Sequence, residues 1–561
     1  MINNPIMRKE VLSALRTKKA VAMQALMLVF VAGLVWLLWP AGGLQDLGGE
    51  QARRILSVLA MGELAMVVLF APAFTAASLT SEAEHNTLES LFATSLRPWE
   101  IAVGKMTGSL AFLVLLVLVG TPALAAPLML GGVRGSDVLA TVAILILTAI
   151  YVGMIGLLVS SYLHRSYRAI IVTYAVLLVV CLLFALPATP ISNRLLERGG
   201  PTWQATWHVL ASFSPIEAML SLVMPTSLYA VGARSMPPFW QLYIPISCVV
   251  IAITGALCLY KLHRPIAPPR PREKLKVVER GKITARSFLF LIDPRKRKRM
   301  IARWQNPVLI KEFRTRPMLQ AHWLLRAAGI CLIVSVLLMF LVTFSVTAFV
   351  AESTGMVAMM GAVVAALMVL VIIVIGPAMT GGTLCADRET GVWDLIRTTR
   401  LSSWTIVSGK FYAAIIPLLL LALAMLPALA LLMMFGSEFR LVHLLRVAYV
   451  VGTTILFVTA AGMFFSGIFD RTSTATAWTY AVILSIGLSA LFVLLGREIF
   501  SSRLTEAIFV LNPVAAALDA AGSHRMGDYG LVGRHLQIML AASCIMLVVS
   551  VIRVFQLRRV D

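Results

Sequence analysis

Charge is scarce in this chain. Only 13% of its 561 residues are Asp, Glu, Lys or Arg, while 59% are hydrophobic; ordinary soluble domains carry roughly 25% charged residues. A fold surrounded by water has too little polar surface here to cover its apolar residues, so lipid is the implied solvent. Cysteine is also sparse: Cys181, Cys248, Cys258, Cys331, Cys385 and Cys544 form no Cys-x-x-Cys pair, and five sit in or beside apolar segments. That pattern suggests neither a disulfide framework nor a zinc site. Histidine numbers only eight. No Gly-x-x-x-x-Gly-Lys-Ser/Thr occurs, because Gly104-Lys105, Gly281-Lys282 and Gly409-Lys410 lack both the upstream glycine and the following hydroxyl residue. His-Glu-x-x-His and Gly-x-Ser-x-Gly are missing too. The chain therefore reads as a non-enzyme without its own phosphate cradle. Any uphill work would draw on another chain or on an ion gradient.

Long apolar runs are what it has in abundance. Twelve are long enough to cross a hydrocarbon core of roughly 30 Å, which takes about 20 helical residues. They lie near 20–39, 55–79, 110–130, 138–161, 168–187, 241–261, 323–349, 356–380, 412–435, 444–468, 475–495 and 536–556. The expected fold class is an all-α polytopic membrane protein. The first run is too long for a signal-peptide core of roughly 7–15 residues, and no small-x-small cleavage site follows it. With the N-terminus inside, both termini are cytoplasmic. Lys and Arg then favour the inner side by seventeen to twelve even when the long central linker is discounted, as the positive-inside rule requires. The formal charge of +22 is thus mainly inner-surface charge. It does not call for nucleic acid as a partner, and anionic membrane lipid is the simpler one. The expected location is the cell's inner (plasma) membrane.

The chain also repeats itself. Asn4-Pro5 and Lys9-Glu10 return as Asn306-Pro307 and Lys311-Glu312, 302 residues on. Ala71-Pro72-Ala73-Phe74-Thr75 returns as Gly376-Pro377-Ala378-Met379-Thr380, and Gly104-Lys105 as Gly409-Lys410, 305 residues on. Pro122-Ala123-Leu124-Ala125 returns unchanged as Pro427-Ala428-Leu429-Ala430. A period near 300 is too long for a solenoid and describes a duplicated six-span half, as many transporters have. The expected domains are a first half at 1–261, a basic Pro-rich linker at 262–303 and a second half at 304–561. Each half opens with a segment that reads as an interfacial amphipathic helix, or else as a plain connecting segment.

Between spans 2 and 3 each half carries an acidic, amphipathic, cytosol-facing stretch. Leu88, Leu91 and Phe92 form one helical stripe, matched by Val392, Leu395 and Ile396. Glu84 and Glu89 recur as Glu389 and Asp394. Either the stretch docks a partner, or it packs on its neighbours or lies on lipid; an anionic leaflet repels recurrent carboxylates, which favours docking over the lipid. The connection between spans 5 and 6, with Ser214-Pro215 and Asn512-Pro513 in matching places, reads as re-entrant short helices or as a small outer cap. Glu63 is expected at the outer head groups near Arg53 and Arg54, a cavity-lining or proton-binding carboxylate being the alternative. Residues 262–303 end in Arg295-Lys296-Arg297-Lys298-Arg299, a lipid-binding or solvated tether.

These residues resemble the permeases of type-2 ATP-binding-cassette exporters. That family has an interfacial helix, six membrane helices, and between helices 2 and 3 a pattern Glu-x-x-x-Gly-Thr-x-x-x-Leu, followed by Thr and a Gly-Lys near helix 3. The first half matches with Glu82, Thr87, Leu91, Thr94, Gly104 and Lys105, with Asn86 where the family often has Gly. The second matches with Arg388-Glu389-Thr390-Gly391, Trp393, Thr399, Gly409 and Lys410, with Val392 where Thr is usual. The resemblance implies that this stretch is a coupling helix touching a cytosolic ATP-binding-cassette ATPase through Glu82, Glu84, Thr87, Leu88, Glu89, Leu91 and Thr94, and through Glu389, Thr390, Gly391, Trp393, Asp394, Ile396 and Thr399. It also implies that ATP and Mg are bound by that partner, expected in two copies, and that the fused chain is one exporting unit. A gradient-driven secondary transporter and a non-transporting membrane scaffold are the competing classes. The low charge of the spans leans toward a hydrophobic or lipid-like substrate.

Overall fold

The computed structural model of the chain describes residues 7–9, 11–12, 18–38, 49–76, 78–80, 98–163, 166–183, 200–223, 237–263, 306–315, 328–329, 332–333, 336, 356–435, 441–495, 502–522 and 530–558. Helix is the only regular secondary structure among the described residues. By internal contacts the chain divides into two units, 1–266 with 491–505, and 267–490 with 506–561.

The first unit contains α1 (Lys18–Leu38), α2 (Glu50–Thr75), α3 (Pro98–Ala125), α4 (Gly135–Tyr162), α5 (Ser166–Leu178), α6 (Gly200–Ala211), α7 (Pro215–Val223) and α8 (Phe239–His263). The second contains α9 (Pro307–Thr315), α10 (Met356–Thr380), α11 (Cys385–Glu389), α12 (Val392–Arg397), α13 (Ser403–Phe435), α14 (Leu441–Ile468), α17 (Pro513–Ala520) and α18 (Leu531–Arg558). Two further helices, α15 (Thr472–Leu495) and α16 (Ser502–Leu511), straddle the division.

Among the described residues, eight helices are long and apolar enough to cross a membrane, and each falls on one of the twelve expected spans. The expected spans at 20–39, 168–187 and 475–495 hold shorter apolar helices, Met27–Trp36, Arg168–Cys181 and Thr474–Gly487. Most of the expected span at 323–349 lies outside the described residues.

Duplication is visible as repeated contacts within each unit. Tyr174 donates its hydroxyl hydrogen to the Leu69 carbonyl at 2.6 Å, and Tyr480 donates to the Val374 carbonyl at 2.6 Å. A Cβ added at Gly156 would lie 2.1 Å from Thr75 Oγ1, and one at Gly462 would lie 2.0 Å from Thr380 Oγ1. Only glycine lets the two helix backbones approach that closely. Ser160 Oγ accepts the N–H groups of Leu79 and Thr80 at 3.2 and 3.1 Å, while Ser466 Oγ accepts those of Leu384 and Cys385 at 2.8 and 3.0 Å. In both units one serine near the end of a helix thus satisfies two successive backbone donors beyond the preceding bend. Pro72 and Pro377 interrupt α2 and α10 at matching places, where the missing N–H frees a carbonyl.

Of the short helices after α5 and α15, α7 and α17 pack against the long helices. Helix α7 buries Pro215, Ala218, Met219 and Val223 and packs on α2, α4 and α8. Helix α17 and the Ala521 that follows it contribute Ala516, Ala517, Ala520 and Ala521 to a core shared with Met368 and Ile372 of α10 and Val447 and Val451 of α14. Asn512 caps α17: its Oδ1 accepts from Val514 and Ala515 N–H at 2.8 and 3.0 Å. Its Nδ2 donates to the Ile486 and Gly487 carbonyls at 2.7 and 2.9 Å. The Asn-Pro pair starts the helix and anchors it to α15.

Candidate functional site

The Asn-Pro that opens the second half works the same way at α9. Asn306 Oδ1 accepts the N–H groups of Val308 and Leu309 at 3.0 and 3.4 Å, and Nδ2 donates to the Thr405 carbonyl at 3.0 Å. The asparagine therefore starts α9 and fastens it to the first turn of α13. Contact is close because residue 409 is glycine: a Cβ there would lie 2.7 Å from Asn306 Oδ1 and 2.8 Å from Val308 Cβ.

Lys410, the next residue, is wholly buried and ties three segments together. Its ammonium donates to Glu312 Oε1 of α9 at 3.0 Å, to the Thr383 carbonyl at 2.6 Å and to Asp387 Oδ2 of α11 at 2.5 Å. Lys311 donates to both Asp387 oxygens at 3.0 and 3.1 Å. Two ammonium and two carboxylate groups balance. Such a set is tolerated away from water only when each charge is compensated and hydrogen-bonded.

Beyond this cluster, Arg388 fastens α11 to the end of α14. It donates to the Ser466 and Phe469 carbonyls at 2.7 and 2.5 Å and pairs with Asp470 at 2.9 Å. Glu389 accepts from the N–H and hydroxyl of Thr472 at 2.8 and 2.7 Å, which satisfies a donor at the start of α15 and places negative charge at a helix N-terminus. Thr390 donates its hydroxyl to the Ala386 carbonyl at 2.7 Å. Gly391 has φ 71°, a left-handed turn that favours glycine, and it divides α11 from α12.

Helix α12 turns Trp393 and Ile396 inward, onto Val308 of α9, Ile406 and Val407 of α13, Met463 of α14 and Val554 of α18. Its other side is open: Asp394 is exposed and pairs with Arg397 at 3.4 Å, and Leu395 is 70% exposed. This corrects the expected stripe of Val392, Leu395 and Ile396, since Leu395 faces away from the core. The bulk of Trp393 sets the rotation of the helix instead. Thr399, also exposed, donates to the Ile396 carbonyl at 2.6 Å.

Of the sequence-derived site, the structure thus brings Glu389, Thr390, Gly391, Trp393, Asp394, Ile396 and Thr399 into one surface element. Glu82, Glu84, Thr87, Leu88, Glu89, Leu91 and Thr94 lie outside the described residues. Sequence reasoning passed over Asp387 as a partner of Lys410, although Glu82 and Lys105 stand at the matching positions 305 residues earlier; the equal offset of both charges was the available signal.

Glu63 departs from its expected place. Helix α2 begins already at Glu50, which carries Glu63 into its interior, where the side chain is wholly buried rather than at head groups. Neither carboxylate oxygen has a hydrogen-bond partner among the described residues. The carboxyl group lies against Gly120 of α3, where an added Cβ would come within 2.5 Å of Oε1.

A family model described as ABC-2 type transporter matches residues 5–224. A second, described as ABC-2 family transporter protein, matches residues 351–555. The chain belongs to the ABC-2 type transporters. It is an ABC-2 permease with two fused halves, a multi-pass membrane component of an ATP-binding-cassette transporter. Membership implies partnership with an ATP-binding-cassette ATPase. The α11–α12 element joins α10 to α13. No curated protein matches the chain.

Proposed function

We propose that this ABC-2 permease exports a hydrophobic or lipid-like substrate, driven by ATP hydrolysed on a separate ATPase that docks at the coupling helices. The observation that carries the reading is the open side of α12. Asp394 and Leu395 are exposed on a short helix whose opposite side is fixed by Trp393 and Ile396. An apolar side chain held out beside a carboxylate on a braced helix suits a partner's groove better than water.

In this reading the halves are 1–261 and 304–561, joined by the basic linker 262–303. One chain forms a whole translocation unit in the inner membrane, with both termini cytoplasmic. Two ATPase copies bind ATP and Mg, one per half, the first half docking through the 81–94 stretch. The linker meets anionic lipid, and nucleic acid is no partner.

Co-expression with an ATP-binding-cassette ATPase and co-purification from mild detergent tests this. Asp394→Lys combined with Leu395→Glu is expected to lower ATPase recovery about tenfold or more, the loss of roughly 1.4 kcal/mol or more of binding, while leaving permease yield unchanged. An ATPase that is never recruited, or recovery untouched by the pair, contradicts the reading. Glu389→Lys is a poorer test, because Glu389 already holds Thr472.

A further inference from the structure

We infer that α9 moves with the α11–α12 coupling element as one body, with Lys410 as the positioning residue that joins them. This rests on the docking reading above.

Three observations carry it. First, Lys410 is wholly buried and bonds α9 through Glu312 and the coupling element through Asp387 and the Thr383 carbonyl. Sliding α9 past α11 would strand at least one of these charges without a partner, and buried charges resist that strongly. Second, the contact is reinforced on both sides. Asn306 fastens the start of α9 to α13 beside Gly409, and Val308 packs in the same cluster as Trp393 and Ile396. Polar and apolar contacts thus join the same elements. Third, all four charged members recur in the sequence: Lys9 and Glu10 precede Lys311 and Glu312 by 302 residues, and Glu82 and Lys105 precede Asp387 and Lys410 by 305. Lys105, too, is buried. By contrast, Arg388 and Arg397 have Ala83 and Phe92 at the matched positions, so charge in this region is not repeated indiscriminately.

The consequence is a second route for movement into the membrane. A push on α12 would be delivered to α10 and α13 through the chain and, at the same time, to α9 through the ion pairs. An amphipathic helix at the lipid surface would then shift with the ATPase cycle.

Hydrogen exchange read by mass spectrometry on the permease–ATPase complex, with and without ATP and vanadate, tests this. In the wild-type complex, exchange in 307–315 and in 385–399 is expected to change together. Lys311→Met, Glu312→Gln, Asp387→Asn and Lys410→Met together remove the ion pairs between α9 and the coupling element, those of Lys410 and those of Lys311, and leave the net charge unchanged. This variant should keep the ATPase and the response at 385–399 yet lose the response at 307–315. A wild-type response at 385–399 without one at 307–315 overturns the tie and leaves docking standing, and this arm needs no variant. A fourfold variant that keeps both responses also overturns it. A complex in which neither segment responds, or no ATPase binds, removes the docking reading and the tie together.

Discussion

Lys410 and Glu312 meet at 3.0 Å although 98 residues separate them in the chain. The lysine lies one residue after the glycine that admits Asn306, so one dipeptide on α13 both makes room for α9 and holds its charge. Replacing Lys410 by Met should destabilise the second unit by about 3–5 kcal/mol, the usual result of stranding a buried partner. Arginine in its place should recover little, since a planar guanidinium does not reproduce the three directions of an ammonium. Thermal unfolding in detergent reads both, and an unchanged midpoint for Lys410→Met would count against the buried cluster.

Gly409→Ala sets two effects against each other. Alanine is the better helix former by about 1 kcal/mol, but its Cβ would press on Asn306 and Val308, a clash worth roughly 1–3 kcal/mol. The Asn306 side-chain amide is held by Val308, Leu309 and Thr405, and the Val308 Cβ is fixed by its own backbone, so neither has room to yield. The clash should win, with a net loss of stability and faster exchange of the α9 amides. A rise in stability would show that α9 is not seated there.

The two tyrosine contacts make a matched pair. Tyr174→Phe and Tyr480→Phe each remove one buried hydrogen bond to a carbonyl. Each should cost on the order of 1 kcal/mol. Because the sites occupy different units, the double variant should lose the sum of the single losses. Thermal midpoints of the three variants check this, and a loss at only one site would mean that the duplicated contact is not equivalent in the two halves.

Glu63 makes the opposite prediction. A buried carboxyl group without a partner costs stability, so Glu63→Leu should raise it by roughly 1–3 kcal/mol. The second half already has this character: Met368 and Met425 stand at the positions matching Glu63 and Gly120, and both belong to its apolar core. If Glu63→Leu instead lowers stability, the carboxyl group makes contacts that its described surroundings do not contain. Should stability rise while transport fails, the burial cost is retained for function.

Much of this was legible in the sequence, for identifiable reasons. Helices in lipid must be long and apolar, so composition alone located them. Duplication left its offset in Asn-Pro, Gly-Lys and Lys-Glu because each of those pairs makes a specific contact, as Asn306, Gly409 and Glu312 do. What escaped was pairing through space. That Lys410 reaches Glu312, or that Glu389 caps α15 at Thr472, depends on how helices far apart in sequence are brought side by side. Helical spacing put Val392, Leu395 and Ile396 on one stripe, and only packing against Val308 and Met463 turns Ile396 inward with Trp393 while Leu395 stays exposed. Glu63 was placed at the head groups by its nearness to Arg53 and Arg54, and a helix that starts as early as Glu50 carries it into the interior instead.

Docking at α12 is the claim on which the rest depends, and a photo-crosslinking amino acid at position 395 tests it most directly in intact membranes. The account predicts an adduct with an ATP-binding-cassette ATPase, identified by its Gly-x-x-x-x-Gly-Lys-Ser/Thr peptide, and none from position 412, where Tyr412 is exposed on the apolar helix α13. Absence of that adduct at 395, with the ATPase present and the permease intact, would contradict it.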